Sequence, residues 1–288
     1  VVLGKRRIAS STCSDEGSIF AGLFVVKQKN NTMPYRRYRS LVLLPVFALL
    51  SACTHYYYAP NTLQTPFLRE QHDTRVGVGF IGGDEFNGFE VHAAYSPVKH
   101  LALMANHFQV QSDNVRSTSS DWGQGRLTEI ALGGYYPLNN TVSASLFAGW
   151  GGGRVLNSYD QGAKADLRFQ RRFLQPTIAM QAKWIRLGLA MRFNQLQYIR
   201  GDIDYQIGEP HISTLARIEQ ASPMYIPETS ISLGFGNSPF WVNGHLNINQ
   251  QRQREELGFA GSTIGVSMLF ELDYFWRSQP GQQKKGTE

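Results

Sequence analysis

Four groups of residues in this sequence have side chains suited to chemistry. The first is a pair of histidines, His92 and His245, which with Glu90 and Glu129 have the donors for a proton relay or a metal pair. They are far apart along the chain, and interior histidines satisfied by hydrogen bonds are the simpler account. The second is Gly149-Trp150-Gly151-Gly152-Gly153, which invites a phosphate-loop reading but has neither the Lys-Ser/Thr nor the helix that should follow. Glycines inside a strand more often mark a bend or a close approach, and Gly77, Gly79, Gly133 and Gly134 fit that account too. The third is Arg168, Arg171 and Arg172, the one sequence-local basic patch outside the leader. The fourth is a set of loop residues, Asp84, Asp202, Asp204 and His211, with the side chains of a hydrolytic acid–base pair but no motif joining them. From these residues we assign no catalytic residue, no metal site and no cofactor, and the chain is expected not to be an enzyme.

The elements that would position these groups begin after a leader. Net charge is +6 over 288 residues. Residues 1–52 contain eight of the 28 basic residues and two of the 22 acidic ones, so the remainder holds twenty of each sign. The basic character belongs to the leader, which removes the main support for nucleic-acid binding. Met33 is followed by Arg36, Arg37 and Arg39, an apolar run from Leu41 to Leu50, and then Leu50-Ser51-Ala52-Cys53. The run is too short to span a bilayer and reads as a secretory signal. Leu-Ser-Ala-Cys resembles the lipobox of bacterial lipoproteins, which implies lipidation at Cys53 and a signal peptide over 33–52. Residues 1–32, with Cys13, read as upstream sequence outside the native protein. One acylated residue with two or three chains gives firm attachment.

Residues 53–73 carry Pro60, Pro66 and the cluster Tyr56-Tyr57-Tyr58, and are expected to form an irregular periplasmic tether with the tyrosines at the membrane interface. The stretch Tyr58-Ala59-Pro60-Asn61-Thr62-Leu63-Gln64-Thr65-Pro66-Phe67-Leu68-Arg69-Glu70 resembles the post-lipobox segment of a Bacteroidota group of outer-membrane lipoproteins. That resemblance implies an envelope location and no particular activity.

From Arg75 onward, apolar and polar residues alternate with period two. In Ile185–Asn194 the odd positions are all large and apolar and the even ones polar or small. A strand sorts those arginines onto one face, whereas a helix would scatter them. Ten such segments occur, near 74–81, 87–95, 100–111, 126–136, 141–155, 167–182, 184–199, 228–236, 239–250 and 263–273. Their connections alternate between tight turns and long polar links, as in an outer-membrane barrel with short periplasmic turns and long outer loops. About ten tilted residues per strand cross the hydrocarbon, and only closure satisfies every backbone group there. The predicted fold is therefore an all-β, ten-stranded, antiparallel up-and-down transmembrane β-barrel over 74–275, with an N-terminal lipid-anchored tether and a polar tail at 276–288. Omptin proteases resemble it in strand number and long outer loops only.

The alternative is a soluble sandwich or lipocalin-like barrel with apolar residues inside. The polar face decides against it, since it carries Arg75, Glu90, His92, Glu129, Arg186, Arg192, His245, Glu271 and Asp273, a set suited to a filled lumen of ion pairs and hydrogen bonds. Trp150, Trp184, Trp241, Tyr136, Phe240, Tyr274 and Trp276 fall near strand ends, as interfacial girdles do. Ten strands enclose a narrow bore that long side chains would block. Strand parity puts both barrel ends at the periplasmic side, matching a lipid on the inner leaflet side. Arg168, Arg171 and Arg172 suit either lipopolysaccharide phosphates or ion pairs with loop residues, and the apolar-rich 200–227 link is expected to fold over the mouth or dock a partner protein. The sequence thus points to an outer-membrane structural, accessory or interaction protein. A narrow solute channel and a lipid hydrolase, acyltransferase or protease are the alternatives.

Overall fold

The computed structural model describes residues 56–83, 86–113, 122–159, 163–203, 211–254 and 256–277. The upstream extension, the signal peptide and Cys53 lie outside the described residues. Ten strands form in chain order: β1 (Thr74–Gly82), β2 (Asn87–Val98), β3 (Leu101–Asp113), β4 (Trp122–Pro137), β5 (Val142–Ser158), β6 (Lys164–Gln181), β7 (Ile185–Ile203), β8 (Met224–Asn237), β9 (Phe240–Asn249) and β10 (Ser262–Glu271). Each pairs antiparallel with its neighbours, and β1 pairs with β10 from Arg75↔Glu271 to Gly82↔Ile264, closing the barrel. Among the described residues two helices accompany the strands. Helix α1 (His211–Ala221) lies in the link between β7 and β8, and α2 (Asp273–Arg277) follows β10. The barrel therefore ends at Glu271 rather than at 275, and the first two residues of the expected tail are helical.

Side chains alternate between the two faces as the period-two pattern requires. On β10, Ile264, Val266 and Met268 are exposed on the outside while Ser267 and Glu271 are buried inside. On β9, Val242, Leu246 and Ile248 point outward and Asn243, His245 and Asn247 inward. Apolar side chains turned away from a polar interior require a hydrocarbon neighbour, which is the arrangement of a transmembrane barrel.

This polarity does not run the full height of the barrel, which corrects the uniform pattern expected from sequence. On β6, Leu174 and Ile178 are exposed with Gln175 and Thr177 buried between them, yet further along the strand Arg168 and Arg172 are exposed while Leu167 and Phe169 are buried. The same inversion occurs on β3, where Gln109 and Gln111 face out and Phe108 and Val110 face in, and on β4 at Arg126 and Leu127. These strands, 13 to 19 residues long over β3–β7, exceed the ten or so needed to cross a bilayer. Their surplus stands beyond the hydrocarbon at the long-link rim, where water outside and a packed core inside are the stable arrangement. That core joins Phe86, Phe108, Leu127, Val155, Phe169 and Leu196 with Leu215 and Ile218 of α1, which folds over the mouth.

Candidate functional site

The site is the lumen, and the N-terminal segment occupies it. Residues 56–73 do not form a tether outside the barrel; the chain runs through the bore from one rim to the other. At the long-link rim the Tyr57 amide donates to the Gly258 carbonyl at 2.8 Å, the Ala260 amide donates to the Tyr58 carbonyl at 2.9 Å, and the Tyr57 and Tyr159 hydroxyls meet at 2.6 Å. In the middle, the Thr62 amide donates to Glu90 Oε2 at 3.2 Å and the Leu63 amide to Asn247 Oδ1 at 3.4 Å. Further along, Gln175 Nε2 donates to the Gln64 carbonyl at 2.7 Å, and Ser143 Oγ to the Leu68 carbonyl at 2.9 Å. At the short-turn rim Arg69 Nη2 donates to Asn140 Oδ1 at 3.0 Å and the His72 amide to the Ser96 carbonyl at 2.7 Å. Pro60 and Pro66 hold the segment extended and remove two donors that the bore would otherwise have to satisfy.

The tyrosines are therefore not an interfacial belt: Tyr57 and Tyr58 are 2% and 1% exposed and face protein.

The centre of the lumen is a closed charge network. Arg171 donates through Nε to Glu129 Oε1 at 2.8 Å and through Nη2 to Asn61 Oδ1 at 2.6 Å, and its Nη1 donates to the Tyr58 hydroxyl. Tyr58 in turn donates to Glu228 Oε1 at 2.5 Å. Arg192 donates to Gln175 Oε1 at 2.8 Å and to Asn61 Oδ1 at 3.0 Å, while Asn61 Nδ2 donates to Glu129 Oε2 at 2.9 Å. Two arginines thus face two glutamates, and Asn61 of the threaded segment sits between them with both ends of its amide used. Buried charges are tolerated only when paired and hydrogen-bonded in this way.

A second cluster lies toward the short-turn rim. Arg75 pairs with Asp273 and approaches Glu271 at 3.6 Å, and Arg186 Nη2 meets Glu271 Oε1 at 2.6 Å. Below it a vestibule of about 350 Å3 opens between Phe67, Arg69, Asp73, Glu271 and Arg277. Arg277 closes the start of β1 against α2 through Asp73 at 2.8 Å.

All nine polar residues expected in the lumen are buried, eight of them on strands and Asp273 at the start of α2, but they do not form one network. Glu129 and Arg192 belong to the central cluster, and Arg75, Arg186, Glu271 and Asp273 to the lower one. Glu90 binds the segment's backbone. His245 Nε2 meets Ser267 Oγ at 2.8 Å rather than a carboxylate, and His92 packs over Gly77, where a Cβ would lie 2.1 Å from the imidazole. The histidines do not form the relay with Glu90 or Glu129 that their types allow. Among the described residues no group of three His, Cys, Asp or Glu is placed to hold a metal ion.

Two further expectations are corrected. Arg171 is not part of an outer basic patch, since it is 0% exposed and central to the lumen; strand parity separates it from Arg172, which faces out. Trp241 is not a girdle residue, since it is 1% exposed and lies inside, with the Arg186 guanidinium 4.6 Å from its ring centre. Trp150, Trp184, Tyr136, Phe240, Tyr274 and Trp276 are exposed. Sequence reasoning placed Gln175 on the polar face but missed Asn61, Tyr58 and Glu228 as members of the site. Asp202 is the register partner of Asp166, and His211 packs against Tyr159 at 4.6 Å between ring centres, while Asp84 and Asp204 lie outside the described residues.

The fold and site together define a class: a closed ten-stranded membrane β-barrel whose bore is filled by its own N-terminal segment. No protein-family model matches the chain, and no curated protein matches it in sequence. Among solved structures it is similar to Ail, the attachment invasion locus protein of Yersinia pestis, at 8% identity over 69% of this chain and 98% of that one, with a TM-score of 0.35. It is also similar to the outer membrane protease OmpT from Escherichia coli (8% identity, 68% and 92% covered, TM-score 0.34) and to CdiB from Acinetobacter baumannii (7%, 70% and 60%, TM-score 0.21). These likenesses are of fold alone.

Proposed function

We propose that the chain is a lipid-anchored outer-membrane β-barrel protein with a structural or interaction role in the envelope, and neither a solute channel nor an enzyme. The observation that carries this reading is the fully buried stretch Asn61–Leu63 crossing the bore, clamped by Arg171, Glu129 and Arg192. A pore would have to expel it. Purified full-length protein in planar bilayers is expected to give no steady unit conductance; reproducible ohmic steps from the folded, heat-modifiable species would overturn the reading in favour of a channel.

The working surface is then the outside of the barrel and its long-link rim. Arg126, Arg154 and Arg168 are successive register partners across β4, β5 and β6. Like charges in direct opposition are destabilising on a sheet. Asp166 engages Arg154 with both carboxylate oxygens, at 2.7 and 2.5 Å, which leaves a net positive ridge just beyond the apolar Ile130 and Trp150. That height and charge suit lipopolysaccharide phosphates, which arginine grips in bidentate fashion. In this proposal Arg168 and Arg172 keep the lipopolysaccharide contact, and Arg126 and Arg154 take the place of Arg171. Replacing Arg126 and Arg168 together by Ala is expected to cut co-purifying lipopolysaccharide several-fold with the barrel intact; unchanged retention would remove the ridge from the proposal. A partner protein would meet the same rim, where Ile212 of α1 and Tyr225 at the start of β8 are exposed.

A further inference from the structure

We infer that the chain before Tyr56 leaves the barrel on the long-link face, so that the N-terminal and C-terminal ends of the described chain lie on opposite faces of the membrane. A lipid on Cys53 would then enter the leaflet beside the long links, the cell-surface leaflet in the usual barrel orientation. This inference rests on the reading of Cys53 as acylated and reverses the expectation that the anchor is periplasmic.

The direction of the segment fixes the exit. Contacts move steadily along the bore with residue number: Tyr57 and Tyr58 bind Gly258 and Ala260 in the β9–β10 link, Asn61 binds the central arginines, Leu68 binds Ser143, and His72 binds Ser96 beside the tight β2–β3 turn. Strand β1 then starts at the short-turn rim, where Thr74 faces Tyr95. Tyr56 is held at the other rim, where its carbonyl accepts from Asn157 Nδ2 at 3.2 Å near the far end of β5.

Chain length does the rest. Cys53 lies three residue steps before Tyr56, and an extended chain covers at most about 11 Å in that distance. The apolar band of such a barrel is about 25 Å tall, so Cys53 cannot return to the short-turn face. A sideways exit is closed by the unbroken β1–β10 ladder. The bore itself already holds the outgoing strand of chain. An acyl group at Cys53 therefore has one leaflet within reach.

The test uses the full-length protein made in Gram-negative cells, with His55→Cys and Gln71→Cys probed separately by a membrane-impermeant maleimide. Gln71 is exposed at the short-turn rim and serves as the opposite-face reference. The expected result is labelling of His55→Cys on intact cells and of Gln71→Cys only after the outer membrane is opened. An epitope inserted between Thr54 and His55 gives a second readout, expected to be recognised by antibody on intact cells. Protection of both N-terminal probes on intact cells, with full reactivity after denaturation, overturns the inference. Acylation is scored independently by the mass of the N-terminal peptide. A chain labelled as expected but lacking acyl mass would sink the lipoprotein reading and leave the threading in place.

Discussion

Asn61→Ala tests the clamp that closes the lumen. The Asn61 amide accepts from Arg171 at 2.6 Å and Arg192 at 3.0 Å and donates to Glu129 at 2.9 Å, all in a fully buried setting. A hydrogen bond to a charged group contributes about 1.5–3 kcal/mol. Three such bonds overstate the loss, because Arg171 keeps Glu129 and Tyr58, Arg192 keeps Gln175, and the space left admits water. About 3 kcal/mol is a reasonable working figure for the weakened seating, which corresponds to about a 100-fold rise in the detached population. The reporter amides are Thr62 and Leu63, which bond to Glu90 and Asn247 only while the segment is seated. Hydrogen exchange at these two positions should speed up by about two orders of magnitude, while amides of the β1–β10 ladder keep their protection. Equal exchange in both proteins would refute the clamp. Loss of protection around the whole barrel would refute the idea that the segment detaches independently of the strands.

Other expectations follow from the same geometry. Glu129→Ala leaves Arg171 and Arg192 facing each other without their shared carboxylate and should cost about 3–5 kcal/mol, read as a lower urea midpoint in detergent, with Glu129→Gln costing less. A Cβ at Gly188 would lie 2.2 Å from Thr65 Oγ1 and 2.3 Å from Ser232 Oγ, so Gly188→Ala should destabilise by about 1–3 kcal/mol. Part of that cost should vanish in a Thr65→Gly background; an identical cost in both would mean the segment does not pass there. Among single-tryptophan variants, Trp150 and Trp184 should be quenched by brominated lipid and Trp241 should not, and quenching of Trp241 would place it outside the lumen.

The strands were readable because lipid and lumen impose opposite demands at alternate residues, so Ile264, Val266 and Met268 declare their face without any knowledge of the partner strand. Eight of the nine polar residues lie on strands and followed from the same parity, whereas Asp273 lies on α2, where strand parity does not apply. Arg171 was misread because clustering in sequence was given more weight than parity, which sets Arg171 and Arg172 on opposite faces of β6. Trp241 was misread in the same way, since its neighbours Phe240 and Val242 already fix the outward face. The inversion on β3–β7 was hidden for a different reason. Alternation looks identical whichever side is wet, and only strand length beyond a bilayer's need signals the change. Helix α1 was passed over within a link recognised as apolar, although Ile212, Leu215 and Ile218 recur at three-residue intervals. Least legible was the threaded segment: Tyr57–Leu68 has neither helical nor strand periodicity because each residue answers to a different wall of the bore.

Threading also constrains how the molecule is made. A tube whose bore is packed with its own chain admits no bulky group from end to end once shut, and the diacylated terminus proposed at Cys53 would be such a group. The wall must therefore be wound around the segment, as around a mandrel, with the seam between the first and last strands sealed afterwards. On the proposed acylation of Cys53, the lipid would be attached before insertion, and the barrel-building machinery of the cell would be handling a loaded core from the start.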